Sequence, residues 1–281
     1  VAESRDSESL LPASCALAKM DPHNDRWSGI SARIAERLVR ENPLRLAVWV
    51  EELRPVANSL NPSLQVIYTS APSSRSQTEI DLATDILESY AKDDLALLHE
   101  LVLTGESHQF RKMFSSYQRV PQQAKEALRA ELTRPVPMRE SLLESEERTR
   151  SRVAAMARQA NAAVALLRLQ DREPIYKFLT VDRNPEALSQ FVYRIRGRDV
   201  SPVLLIECLQ ELKNKEIPND PQERHRHFLR LYTFVLGLGE YSFDQLPAAS
   251  RESLAAELAE MYATHPSRAV HSSLGWLLRR W

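Results

Sequence analysis

Few residues in this chain have the type and spacing to do chemistry. Of its seven histidines, His225 and His227 lie closest together. Two residues apart, they face different sides of a helix, whereas Glu223 and His227, four apart, share one. A metal there would need one or two further ligands, and no HExxH-type anchor supplies them. Glu223, His225 and His227 are therefore the one candidate centre for an enzyme, and no metal or cofactor is expected. Nucleophilic catalysis has less support, because the chain lacks a GxSxG elbow and a catalytic-type cysteine context. The serines of SAPSSRS (70–76) surround Pro72 and read as a connector before a helix at Gln77. Gly237 and Gly239 form a GxG that follows its helix rather than opening it, so a helix stop is expected and not a phosphate cradle. The pairs Glu51-Glu52, Asp93-Asp94 and Glu146-Glu147 sit at helix starts or on polar faces, where the positive helix N-terminus favours carboxylates.

The arginines are the best surface feature. Arg148, Arg150 and Arg152 open a long helical run; Arg194, Arg196 and Arg198 flank a helix end; Arg224, Arg226 and Arg230 begin the next helix. If Arg194, Arg196, Arg198, Arg224 and Arg226 shared a concave face, they would form a groove for an anion or an acidic partner. Aromatic residues are not interleaved with them in a stripe, which disfavours nucleic acid. The net charge of −1 gives no global pull toward a polyanion or an anionic membrane. Trp49, Trp276 and Phe228 occur at core spacings and read as packing residues.

The elements that must position these residues are helices. Glycine is scarce, 6 in 281 residues, while the good helix formers Leu, Ala, Arg and Glu abound. Tight hairpins between strands would need more glycine. Cys15 and Cys208 are too isolated for a disulfide framework or a zinc ribbon and read as buried, reduced thiols of a cytoplasmic protein. No apolar run reaches ~18 residues, so no membrane span is expected. The chain begins on Val1 and stops on Trp281 after an amphipathic run, as a piece of a longer protein would.

Five Asx-Pro pairs mark expected helix starts: Asp21-Pro22, Asn42-Pro43, Asn61-Pro62, Asn184-Pro185 and Asp220-Pro221, with His265-Pro266 as a weaker sixth. Asx accepts from the free N–H groups of the first turn, and Pro lacks the N–H that would be orphaned there. Residues 1–9 are polar and expected to fray, with a short helix from Leu10 to Met20. Apolar stripes at helical period follow: Ile30, Ile34, Leu38; Leu46, Trp49, Val50, Leu53; Ile80, Ala83, Leu87, Tyr90; and, from Glu146 to Leu169, Val153, Met156, Ala160, Val164 and Leu167. The segment LTRPVP (132–137) is the best internal joint, since two prolines stop a helix and stiffen the chain. The organisation expected is a flexible or short-helix segment 1–26, a helical region 27–133, and helical repeats over 134–281. Pro185, Pro221 and Pro266 are 36 and 45 residues apart, which brackets the period of HEAT/armadillo helix pairs. The fold class is thus all-α, as a HEAT/armadillo-like solenoid or, failing that, an irregular helical array.

Several stretches look like one type of modular bacterial protein: RQANAAVALLRLQ (158–170), DRNPEALSQFVYRI (182–195), LGLGEYSFDQLP (236–247) and, above all, LAEMYATHPSRAVHSSLGWLLRRW (258–281). The earlier 47–60, 83–103 and 108–114 stretches resemble it too. Such proteins join a serine/threonine-kinase-like domain, a helical segment and a domain similar to formylglycine-generating enzyme (sulfatase-modifying factor). The resemblance implies that this chain is the connector: it shows no Gly-rich loop, VAIK, HRD or DFG, and its cysteines sit in no formylglycine-generating context. The function expected is a non-catalytic scaffold that binds a protein partner or adjacent domains of its own chain. The alternatives are polyanion binding through the arginines and an enzyme built on the His/Glu centre.

Overall fold

The structure, a computed structural model, describes residues 2–137, 145–179 and 185–281. Among them it is all-α, with no strand. The expected cap Asn184 lies outside the described residues. The chain divides into two units, Val1–Tyr117 and Gln118–Trp281.

The first unit holds α1 (Ala2–Met20), α2 (Trp27–Leu38), α3 (Pro43–Glu52), α4 (Ala57–Tyr68), α5 (Gln77–Tyr90), α6 (Leu95–Thr104) and α7 (Ser107–Tyr117). Helix α1 begins well before the expected Leu10 and buries Leu11, Ser14, Cys15 and Ala18, one stripe at i, i+3, i+4 and i+7. That stripe rests on α2 and α3. Helix α4 packs on both α2 and α5, and α7 packs on both α5 and α6. Phe110 and Phe114 stack 5.5 Å apart inside.

The second unit holds α8 (Pro121–Thr133), α9 (Glu146–Arg168), α10 (Glu173–Phe178), α11 (Pro185–Gly197), α12 (Pro202–Lys213), α13 (Pro221–Leu238), α14 (Arg251–Thr264) and α15 (Arg268–Arg280). Helices α9, α11, α13 and α15 pack successively on one another; α8 lies against α9, α12 against α13, and α14 against α15. The division of the chain therefore precedes the expected joint at 133/134. Helix α8 is tied to α9 across the LTRPVP segment, because buried Glu131 accepts from Arg158 at 3.0 Å and Gln159 Nε2 donates to the Arg134 carbonyl at 2.7 Å.

Local capping follows the sequence at some Asx-Pro pairs and not at others. Asn42 Oδ1 accepts from Leu44 N at 2.9 Å, and Asp220 Oδ1 accepts from Glu223 N at 2.8 Å, each with proline at the first helical position. Pro185 opens α11. Asp21 and Pro22 instead lie in turns ahead of α2, where the Asp21 carbonyl receives the Trp27 indole N–H at 2.9 Å. Asn61-Pro62 falls inside α4. Proline within a helix costs ~3 kcal/mol; burying Leu60, Leu64, Ile67 and Tyr68 along one stripe, at ~1.5–3 kcal/mol per large apolar side chain, outweighs it. His265 ends α14 and accepts from Ser267 N at 3.2 Å, so α15 starts after the His-Pro pair, at Arg268.

A glycine-poor chain must close its helices by other means. Among the described residues no glycine has positive φ; the two residues that do are Gln170 (58°) and Asp199 (52°), each two positions past the end of α9 or α11. At both, the next N–H reaches back to close the helix: Asp171 to Leu166 at 2.9 Å and Val200 to Ile195 at 3.3 Å, the Schellman pattern. Elsewhere a side chain from another helix bonds a carbonyl of a helix's closing turn. Tyr68 Oη donates to Leu101 O at 2.8 Å, Gln109 Nε2 to Tyr68 O at 2.6 Å, and Arg230 Nε to Tyr176 O at 2.9 Å.

Candidate functional site

The five candidate arginines do not share a face. Arg198 is 2% exposed and Arg194 is buried beside Gln190, so both belong to the interior of the second unit. Helical spacing made them look like surface charge; the packing of α11 on α9 and α13 enclosed them. Arg196 stays exposed and donates to the Glu240 carbonyl at 3.2 Å, just past the C-terminal end of α13. Arg224 is exposed at the other end of α13 and donates to Asn219 O; Arg226, one turn in, pairs with Glu223 at 2.6 Å. Sixteen residues separate Arg224 from Glu240, roughly 24 Å at the helical rise. Of the other arginine group, Arg152 is buried against Glu186, and Arg150 is paired with Glu146.

The histidine centre is likewise divided. His225 is exposed, His227 is buried, and Glu223 is held by Arg226. His227 lies beside Phe228, whose ring meets His265 edge-on at 5.0 Å. Burial, followed by the neighbouring Arg230, His265 and Lys215, holds His227 below the ordinary histidine range; burial does the same to His265. Among the described residues no three of His, Cys, Asp and Glu converge as metal ligands. Both cysteines are buried and free. Burial pushes the Cys208 thiol up to about 11, against a hydrogen bond from Tyr176 and the charge of Arg172. Cys15 is raised by burial and by Glu52.

The first unit carries an open cleft of about 460 Å³ between the turns before α2 and the start of α4, lined by Pro22, His23, Asp25, Trp27, Pro55 and Asn58. Beyond the cleft, two helix faces stand out. Helix α3 is apolar on both sides: Leu46 and Val50 are buried, while Leu44 is 90% and Val48 60% exposed, one turn apart on the opposite face. The segment PLRLAVWVEE carried that signal in the sequence, since its apolar residues exceed one stripe. Trp49, expected in the core, is half-buried, and its indole N–H has no hydrogen-bond partner.

The second face is on α15. Trp276, also expected as packing, is 38% exposed. The far edge of its indole, Cη2 and Cζ3, occupies the space a Cβ on Gly239 would need. Gly239 thus ends α13, as expected of a stop, and also admits this ring. Gly237 lies within α13, where its missing side chain leaves room for Ile195. Gly275 does the same for Tyr262, whose ring would stand 2.7 Å from an added Cβ. Tyr262 is 37% exposed and stacks on His271 at 4.1 Å. The stacking of Tyr262 on His271 has no local signal in the sequence, because the two lie on different helices.

No known protein-family model, curated protein or solved structure matches this chain. Among the described residues no helix is long and apolar enough to cross a membrane.

Proposed function

We propose that this chain is a non-catalytic helical-repeat scaffold of HEAT/armadillo-like type that binds a protein partner or adjacent domains of its own polypeptide. It would be the cytoplasmic connector of a modular bacterial protein with kinase-like and formylglycine-generating-enzyme-like domains. The successive packing of α9, α11, α13 and α15, with α12 and α14 laid alongside, supports the repeat reading, because each helix pair leaves an apolar face for its neighbour to cover. The observation that carries the binding reading is α3. Leu44 and Val48 form a contiguous apolar face outside the core of their unit, and a face of that kind favours a protein partner over water. The polyanion alternative loses support, because Arg194 and Arg198 are spent inside the fold.

The test is a photo-crosslinking amino acid placed at Leu44 or Val48 in cells of the source organism, with exposed Arg33 as the control position. A discrete crosslinked polypeptide from positions 44 and 48, absent from position 33, is expected. Equal or no crosslinking at the three positions would remove the scaffold reading.

A further inference from the structure

Helix α15 lies in a stretch that is basic and free of acidic residues. From Met261 to Trp281 there is no Asp or Glu, while Arg268, Arg279, Arg280, His265 and His271 all fall in that stretch. Helical spacing sets Arg268, Ser272 and Arg279 on one line, at i, i+4 and i+11, and all three are exposed. Tyr262 and His271 flank that line on one side; Trp276 and Arg280, whose guanidinium lies 5.6 Å from the indole centroid, flank it on the other. The opposite side of α15, with Val270, Leu274 and Leu277, is fully buried.

The charge on this face is uncommitted. Elsewhere arginines are paired with carboxylates distant in sequence: Arg75 with Glu36, Arg129 with Asp171, Arg158 with Glu131, Arg172 with Glu211. Arg268 and Arg279 have no ion pair among the described residues. The aromatic residues are held in advance. Trp276 is keyed against Gly239, and Tyr262 against Gly275, so neither ring must be ordered on binding. Rigid, half-exposed Trp and Tyr beside Arg are the residue types that anchor protein interfaces.

We propose that the Arg268–Ser272–Arg279 line of α15, flanked by Tyr262 and Trp276, docks an acidic, aromatic- or leucine-bearing peptide segment of a partner protein. This goes beyond the scaffold reading by naming a second surface and its partner's chemistry. Carboxylates meet the free guanidinium groups, and apolar side chains meet the two rings. A nucleic acid fits less well. Tyr262 already stacks on His271 and Trp276 already carries Arg280, so the rings do not form an open platform for bases. The positive face is also bounded by Glu240, next to Gly239 at its Trp276 end.

The experiment uses the full 281-residue chain and fluorescence anisotropy with a labelled synthetic peptide alternating Glu with Leu and Phe. The comparison probes are the same peptide with Gln for every Glu, and oligo-dT. The acidic peptide should bind, and the Gln peptide should bind about ten-fold more weakly or worse, a step of ~1.4 kcal/mol. The double variant Arg268→Glu/Arg279→Glu, whose exposed positions leave folding intact, should lose binding by ten-fold or more. Trp276→Ala, checked for its melting transition, should do likewise. Arg33→Glu/Arg119→Glu, at exposed arginines elsewhere, should change nothing. Equal loss in both double variants would show unspecific charge attraction and overturn the proposal. So would tighter binding of oligo-dT than of peptide, or no binding of the acidic peptide. None of these outcomes alters crosslinking at Leu44 and Val48, so the two readings fail separately.

Discussion

Helices α3 and α15 obey the same rule on one side and part company on the other. Each buries an apolar stripe: Leu46 and Val50 in the first unit; Val270, Leu274 and Leu277 in the second. On its free side α3 shows Leu44 and Val48, whereas α15 shows arginines between two keyed aromatic rings. Folding constrains only the buried stripe, so the free side is where two helices of similar length can be given different work. An apolar free side binds by area, and a basic, aromatic one adds orientation and charge selectivity.

The sharpest way to break this comparison is to exchange the sides. Leu274→Ala removes a fully buried side chain and should lower stability by about 2–5 kcal/mol in urea denaturation, whereas Leu44→Ala should move it by less than about 0.5 kcal/mol. Similar losses would mean that Leu44 belongs to the core of its unit.

The key between α13 and α15 comes next. Gly239→Val places side-chain atoms where the Trp276 ring lies, and overpacking of this kind should cost about 1–3 kcal/mol. Part of that loss should return when Trp276→Ala is added. Additive losses in the double-mutant cycle would show that the ring is not seated on Gly239.

Helix capping gives a smaller effect. Asp220→Ala should cost about 1 kcal/mol through loss of the bond to Glu223 N, and Asp21→Ala, which caps no helix, should cost less. Equal thermal shifts would contradict the placement of Asp21 in turns.

The shallowest effect is with pH. His227 and His265 sit below the ordinary histidine value of 6.5 in the folded chain. As pH falls below that value, the unfolded chain takes up protons that the folded chain does not, so stability falls until the lowered folded values are passed. Above the histidine range these two groups contribute no slope. Urea midpoints should therefore drop from pH 7 toward 5, and His227→Gln should flatten the drop; an unchanged slope in that variant would rule out His227 as a source.

Much of the architecture was legible because it is local. The scarcity of glycine, the stripes of period 3.6 and the Asx-Pro caps at Asn42 and Asp220 act within a turn or two of their own residues, and the helices formed there. Helix α9 was readable end to end, although Val153, assigned to its stripe, is exposed. The placement of charge was not legible. Arg194, Arg196 and Arg198 alternate along one helix end with similar sequence surroundings, yet two are enclosed and one is exposed. Asn61-Pro62 matched the capping pattern but lies mid-helix, since the apolar stripe through it is longer than the local signal.

By itself, then, the sequence determined the helical class, most of the core stripes and the chemistry available to each helix. Only tertiary structure decided that α8 belongs with α9, that Gly237 and Gly239 admit neighbouring side chains, and that Tyr262 and Trp276 flank a basic line. The reason is one of range. Helix periodicity and capping are set by hydrogen bonds spanning three or four residues, while burial of a given face depends on which distant helix comes to cover it.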